Sequence, residues 1–261
     1  MVIDIHTHAF ADNIAKNAIL ALEEEGHIKA VFDGTTSGLK TYMAQCGVDI
    51  SVVQPVATKP SQVGAINRWA KESTEESLVC FGALHPDDLD ILGVIAQLRS
   101  DGFKGVKLHP DYQRFLADEQ RMMPIYRALA ENDLVLMLHA GVDIGLFNLV
   151  HCTPLMISYI LETVPELTMI AAHMGGHALW HDAEELLVGK NLYFDTSYAY
   201  YQLHREGMTR MIKNHGADKV LFGTDSPWRA VDAAIEQITS LDLPAADIDR
   251  IMYKNAQELL K

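Results

Sequence analysis

The sequence predicts an α/β chain folded as a single (β/α)8 barrel, and three observations predict it. Eight short apolar runs rich in strand formers recur along the chain, with segments of apolar residues at three- and four-residue spacing between them. The length of 261 residues also matches one barrel domain, which typically runs to about 250 residues.

In order, the runs are VIDIH from Val2, DISVVQP from Asp49, LVCFGALHP from Leu78 and FKGVKLHP from Phe103. LVLMLHAG from Leu134, LTMIAAHMGG from Leu167, NLYFDTS from Asn191 and KVLFGTDSP from Lys219 complete the set. Runs this short, bounded by Gly, Pro and polar residues, read as parallel strands buried on both faces. Helical spacing falls between them, at Met122 to Glu131, Pro154 to Val164 and Ala230 to Leu241. Regular alternation implies a parallel sheet with crossover helices, and eight units imply closure into a TIM barrel.

The first connection, Ala11 to Gly47, is too long for one helix, and Asp33-Gly34-Thr35-Thr36-Ser37-Gly38 breaks it. It reads as a helix, a turn and a second helix from Leu39 to Cys46. Because this extended segment follows the first strand, it is expected over the C-terminal mouth of the barrel. No repeat, low-complexity tract or linker interrupts the pattern, so residues 1–261 read as one domain.

Composition narrows the partners. A hydrophobic fraction of 49% and a charged fraction of 21% are those of an ordinary soluble protein. The formal net charge of -14 disfavours nucleic acid and anionic membranes, which are bound by clustered Lys and Arg. Cys46, Cys80 and Cys152 are odd in number and widely spaced, which suits a reducing compartment. No run reaches the roughly 18 apolar residues of a membrane span. His6 and His8 follow Val2 with no basic leader between. The expectation is a cytoplasmic protein acting on a small molecule, with a homodimer as its one macromolecular association.

In a barrel of this kind the active site lies at the C-terminal ends of the strands. Those ends carry chemistry here. The first run ends in His6-Thr7-His8, the third in His85, the fourth in Lys107-Leu108-His109, the fifth in His139, the sixth in His173 and the eighth in Asp225. Residues two apart on a strand share a face, so His6 and His8 point together, as do Lys107 and His109. Neutral imidazoles and a carboxylate at this density suit a borderline divalent cation: zinc first, with manganese, iron or nickel also accommodated. Such an ion lowers the pKa of bound water towards ~7 and yields a hydroxide nucleophile, with Asp225 placed to take its proton.

An HxH on the first strand, a His closing each of the fifth and sixth, and an Asp closing the eighth together resemble the amidohydrolase superfamily. The phrases GFKGVKLHP, LHAG, AAHMGG and GTDSPW resemble its amidohydrolase-2 branch of hydrolases and non-oxidative decarboxylases, from His6 to Trp228. The resemblance implies one metal held by His6, His8, His139 and Asp225. It makes His173 the group that polarises water or substrate, or a ligand where a second metal is present, and Asp225 the second catalytic residue. In binuclear members a carbamylated lysine on the fourth strand bridges two metals, and Lys107 stands at that position. One metal is the expectation, with Lys107 and His109, joined by Arg114 and Arg229, as candidates for binding an anionic substrate group.

Hydrolysis of an amide, lactone or ester is the leading expectation, and decarboxylation of an aromatic or unsaturated acid is the alternative. A phosphodiesterase is disfavoured by the net charge, and a metal-free binding protein by the full set of ligands. Asp195 is expected to orient a ligand by hydrogen bonding rather than to ligate, and Asp4 to be a buried, satisfied carboxylate. His85 and His109 divide evenly between pocket and core, and His177 and His181 between pocket and surface. His27, His151, His204 and His215 read as surface or loop residues.

Overall fold

Each apolar run of the sequence forms a short strand in a computed structural model that describes residues 1–147 and 150–261. The first half of the chain runs β1 (Ile3–Thr7), α1 (Asp12–Gly26), α2 (Thr36–Cys46), β2 (Ile50–Val53), α3 (Val63–Ser73), β3 (Leu78–Cys80), β4 (Gly82–Ala83), α4 (Ile91–Ser100), β5 (Gly105–Leu108), α5 (Pro110–Gln113) and α6 (Met123–Glu131). It continues with β6 (Val135–Leu138), α7 (Pro154–Thr163), β7 (Met169–Ala171), α8 (Trp180–Leu186), β8 (Tyr193–Asp195), α9 (Tyr200–His215), β9 (Val220–Leu221) and α10 (Val231–Thr239). Two short helices, α11 (Ala245–Asp249) and α12 (Asn255–Leu259), follow. The chain divides into two compact units, one of Met1–Val53, Ser73–Val79 and Asp195–Lys261, the other of Gln54–Glu72 and Cys80–Phe194.

In the first unit β1 pairs in parallel with β2, Ile3 opposite Ile50 and Asp4 opposite Ser51. Its other edge takes the segment that continues β9: Ile5 N donates to Phe222 O at 2.9 Å, Asp225 N to His6 O at 2.7 Å and His8 N to Ser226 O at 2.6 Å. Both edges of β1 are therefore covered, as expected of a strand whose five residues are all buried. The long first connection holds two helices, as its composition predicts. The second begins at Thr36 rather than Leu39, because the Thr35 hydroxyl accepts from Gly38 N at 2.9 Å and caps the helix there.

The second unit is built on five strands in the order β4-β5-β6-β7-β8. All its pairs are parallel, with Val106 opposite Leu136, Leu136 opposite Met169, and Ala171 opposite Phe194. Leu108, Leu136, Leu138, Ile170 and Phe194 are fully buried, so these strands carry apolar residues on both faces, with Lys107 in β5 and Asp195 in β8 as buried polar exceptions. Helix α6 turns Ile125, Tyr126 and Leu129 inward at helical spacing. The third run of the sequence is divided into β3 and β4 at Phe81. Its ring fills the space above Gly105, where an added Cβ would lie 2.5 Å from it. Among the described residues no helix is long and apolar enough to cross a membrane.

Candidate functional site

Two histidines and one carboxylate meet in the first unit. His6 belongs to β1, His8 lies one residue past its end, and Asp225 follows β9 by four residues. His8 Nε2 is 2.9 Å and His6 Nε2 3.4 Å from the same atom, Asp225 Oδ1. A ligand atom from each of the three falls within a sphere of contacts no wider than 4.8 Å. Two imidazole nitrogens and a carboxylate oxygen at this separation fit a divalent cation, with room for further ligands. His6 is fixed by its other nitrogen, Nδ1, which is 2.8 Å from Asp195 Oδ2. Ser197 donates from both its backbone N–H and its hydroxyl to Asp195 Oδ1. A carboxylate at one ring nitrogen fixes the orientation of the imidazole, an arrangement shared with metal-binding histidines.

Beneath these residues lies Asp4, fully buried. Its carboxylate accepts from Thr224 N at 3.0 Å, from the Thr224 hydroxyl and from His6 N at 3.2 Å. Burial pushes its pKa up to about 7, against the lowering effect of those hydrogen bonds. Asp225 adopts a left-handed conformation with φ 66°, which Asp tolerates better than most residues. That turn lifts its side chain out of the strand direction towards His6 and His8.

The second unit gathers its own cluster. His139 immediately follows β6 and His173 follows β7, with His173 Nε2 3.1 Å from His139 Nδ1. His173 is held by Trp180 Nε1, which donates to its backbone oxygen at 2.9 Å. The imidazole of His109 stacks on that of His139, with centroids 4.0 Å apart and planes 12° from parallel. Gln113 braces the end of β5: its side-chain oxygen accepts from His109 N at 2.8 Å while its amide donates to Ala57 O and Leu84 O. Lys107 is fully buried in β5.

Three residues of this cluster escaped the sequence reading. Asp111 lies two residues after His109 and faces His139, with Oδ2 3.9 Å from His139 Nε2. Asp143 Oδ2 approaches His109 Nε2 at 3.4 Å. His151, expected at the surface, is half-buried and places Nδ1 2.9 Å from Asp111 Oδ1. The signal for Asp111 was present in the phrase HPDYQ, but its partner stands forty residues away.

The remaining candidates scatter. Arg114 takes a left-handed conformation at the end of α5 and its side chain is exposed, so the structure does not group it with Lys107 and His109. Arg229, in the first unit, lies 3.6 Å from the ring centroid of Tyr201 and 5.0 Å from that of Tyr198. His85 is buried, accepts from Asp87 N at 3.1 Å through Nδ1, and burial holds its pKa below the ordinary value. His177 is half-buried with Nδ1 2.8 Å from Val142 O, and His181 is exposed.

The chain is similar to known proteins in sequence and in structure. An amidohydrolase family profile matches residues 3–261. A gamma-resorcylate decarboxylase of Polaromonas sp. is 28% identical over 132 residues, a match covering 43% of this chain and 40% of that relative. The chain thus spans less than half the length of the curated relative it matches. An uncharacterised TIM-barrel protein from Bordetella bronchiseptica superposes with a TM-score of 0.73 at 18% identity, covering 99% of this chain and 98% of that one. A dihydroxybenzoic acid decarboxylase from Polaromonas sp., solved with manganese and the inhibitor 2-nitroresorcinol, superposes with a TM-score of 0.76 at 16% identity, covering 99% and 96%. At these identities the structural likeness establishes the fold, a TIM barrel of mixed α/β type. Matched by the family profile from residue 3 to residue 261 and sharing that fold, the chain belongs to the amidohydrolase family.

Proposed function

We propose that this chain is a metal-dependent, non-oxidative decarboxylase of an aromatic carboxylic acid. The observation that carries the metal dependence is the convergence of His6, His8 and Asp225 in the first unit. Decarboxylation is preferred over the hydrolysis that the motifs first suggested, because gamma-resorcylate and dihydroxybenzoic acid decarboxylases are among the proteins it resembles. The proposal treats residues 1–261 as one cytoplasmic domain acting on a small molecule, with a homodimer as its assembly.

His6, His8 and Asp225 would hold one divalent cation, and the resemblance adds His139 as a fourth ligand. Zinc and manganese both suit this donor set, and manganese accompanies the decarboxylase from Polaromonas. A bound cation supplies Lewis-acid polarisation of a substrate oxygen and a fixed point against which the ring is oriented. The bond between ring carbon and carboxylate carbon breaks, its electron pair stays on the ring, CO2 leaves and a proton joins that ring carbon. Asp225 would relay that proton, taken up from solvent, through its second oxygen, while its first oxygen faces both histidines. His173 is the second proton-handling group, its ring held against His139 and its backbone held by Trp180. Lys107 and His109 in the second unit and Arg229 in the first are the cationic or polar groups available to an anionic substrate.

The deciding experiment incubates the metal-loaded protein with a panel of dihydroxybenzoic acids in D2O. Release of CO2 with deuterium at the vacated ring carbon supports the proposal. Absence of CO2 from every aromatic acid, with turnover of a lactone or amide under the same conditions, returns the chain to the hydrolases.

A further inference from the structure

His109, Asp111 and His139 offer ligand atoms within 4.8 Å of one another, which at first sight is a second cation site. The ring geometry opposes that reading. Imidazole lone pairs lie in the ring plane, and the planes of His109 and His139 are 12° from parallel at a centroid distance of 4.0 Å. Two stacked rings direct their lone pairs along nearly parallel lines, so they do not converge on one ion. What remains is a buried carboxylate facing the edge of an imidazole.

Asp111 is held firmly on one side only. Its Oδ1 accepts from His151 N at 3.2 Å and lies 2.9 Å from His151 Nδ1. Its Oδ2 is buried and has no hydrogen-bond partner among the described residues. The side chain is 1% exposed, and a buried carboxylate oxygen left unsatisfied is costly. At 3.9 Å, His139 Nε2 faces that oxygen. A shift of roughly 1 Å in the ring would bring the pair to an N–H···O⁻ hydrogen bond. The opposite edge of the same ring, Nδ1, points to His173 Nε2 at 3.1 Å.

We propose that Asp111 is a positioning residue that fixes the tautomer and orientation of His139, so that Nδ1 is its coordinating atom and cation affinity depends on Asp111. This rests on the reading above in which His139 is a metal ligand. A neutral imidazole carries one N–H. Holding that proton at Nε2 with a carboxylate leaves the lone pair on Nδ1, and coordination at Nδ1 strengthens the Nε2–H donor in return. The first unit shows the same device with the nitrogens exchanged, Asp195 holding His6 by Nδ1 and leaving Nε2 to face Asp225.

The test measures Zn2+ and Mn2+ affinity of chelator-stripped full-length protein by competition with a chromophoric chelator. It compares wild type, His139→Ala and Asp111→Asn, and records the melting of each metal-free form. The expected result is affinity weakened about 10–100-fold by Asp111→Asn, with metal-free melting unchanged and a loss in His139→Ala at least as large. Asp111→Asn within a factor of three of wild type, beside a large loss in His139→Ala, overturns the role of Asp111 and leaves the metal reading standing. Undiminished affinity in His139→Ala overturns the ligand assignment and this inference with it. A second cation per chain that Asp111→Asn removes overturns it in favour of a cation site. Should Asp111→Asn fail to fold, the Co2+-loaded wild type decides by proton NMR. A paramagnetically shifted, slowly exchanging imidazole N–H that disappears in His139→Gln supports the hydrogen bond, and its absence overturns it.

Discussion

Replacing Gly141 with Ala should destabilise this protein severely, whereas the same change at Gly47 should be mild. Both glycines have left-handed backbones, with φ 89° and 73° respectively, so both alanines meet the left-handed penalty of about 1–2 kcal/mol. The surroundings separate them. A Cβ at Gly47 would meet nothing within 4 Å, while one at Gly141 would lie 2.1 Å from His177 N and 2.3 Å from His177 O. Those are backbone atoms and cannot rotate away. Relief requires the segments at 140–142 and 176–177 to part. That breaks the hydrogen bonds from His177 N to Ala140 O and from Val142 N to His177 O, each 2.9 Å. Each buried bond left unmade costs about 1–3 kcal/mol, which brings Gly141→Ala to about 3–8 kcal/mol against a total stability of about 5–15 kcal/mol. At about 2–4 °C per kcal/mol for a chain of this size, Gly141→Ala should melt about 6–30 °C below wild type. Gly47→Ala should melt only about 2–8 °C below it on the same scale. Calorimetry or circular dichroism of the two variants side by side is the assay. Equal shifts would refute the steric argument and leave only backbone conformation.

Asp225→Asn keeps the volume but removes both the proton carrier and an anionic cation ligand, so turnover at saturating metal should fall by about 10²–10⁴ while substrate affinity holds; unchanged turnover in steady-state assays would remove Asp225 from the chemistry. In Asp195→Asn the amide can donate to His6 Nδ1 and drive the ring proton to Nε2, so cation affinity should fall about 10–100-fold with the fold intact. Isothermal titration of the stripped variant tests this, and wild-type affinity there would discount Asp195 as the orienting group. His85 has a folded pKa below its ordinary 6.5, through burial and Arg121 against the opposing pull of Asp87 and Asp88. Its stabilisation is therefore complete above pH 6.5 and is lost as pH falls through 6.5 towards the folded value. Denaturant titrations between pH 7.5 and 5 should show stability falling less steeply in His85→Gln than in wild type, and identical slopes would refute the assignment.

Strand ends were legible in the sequence because a buried parallel strand must be apolar until the point where it leaves the sheet. His139, His173 and Asp225 follow β6, β7 and β9, whereas His6 stands within β1 with Asp195 against its Nδ1. Helix limits were legible within a few residues. The exception, α2, starts early through a Thr35 cap that an apolar-period reading overlooks. What stayed hidden depends on contacts between distant residues or on local backbone twist. Asp111 acquires its meaning from His151 and His139, neither near it in the chain. Arg114 looked like a clamp beside His109, yet the left-handed residue that ends α5 turns its side chain outward. The third run divides at Phe81 because β3 pairs with β2 and β4 with β5, and nothing in the run itself marks it.

His6, His8 and Asp225, the residues proposed to hold the cation, are set in place by the backbone. Asp225 N is tied to His6 O and His8 N to Ser226 O, so the residues carrying the side chains are bonded directly to one another. Asp4 grips Thr224, the residue before Asp225, by its backbone and its hydroxyl, and accepts from His6 N as well. One buried carboxylate thereby links both segments through groups that take no part in coordination. Its raised pKa, near 7, marks the cost of desolvating it, and that cost is offset by the order it imposes on the ligands above. A cation arriving at such a site has little chain to organise, so its binding energy is not spent on folding, in contrast to small domains that fold only around their metal. Chelation should then stop catalysis without unfolding the chain, which separates this centre from a structural metal site and accords with its assignment to chemistry.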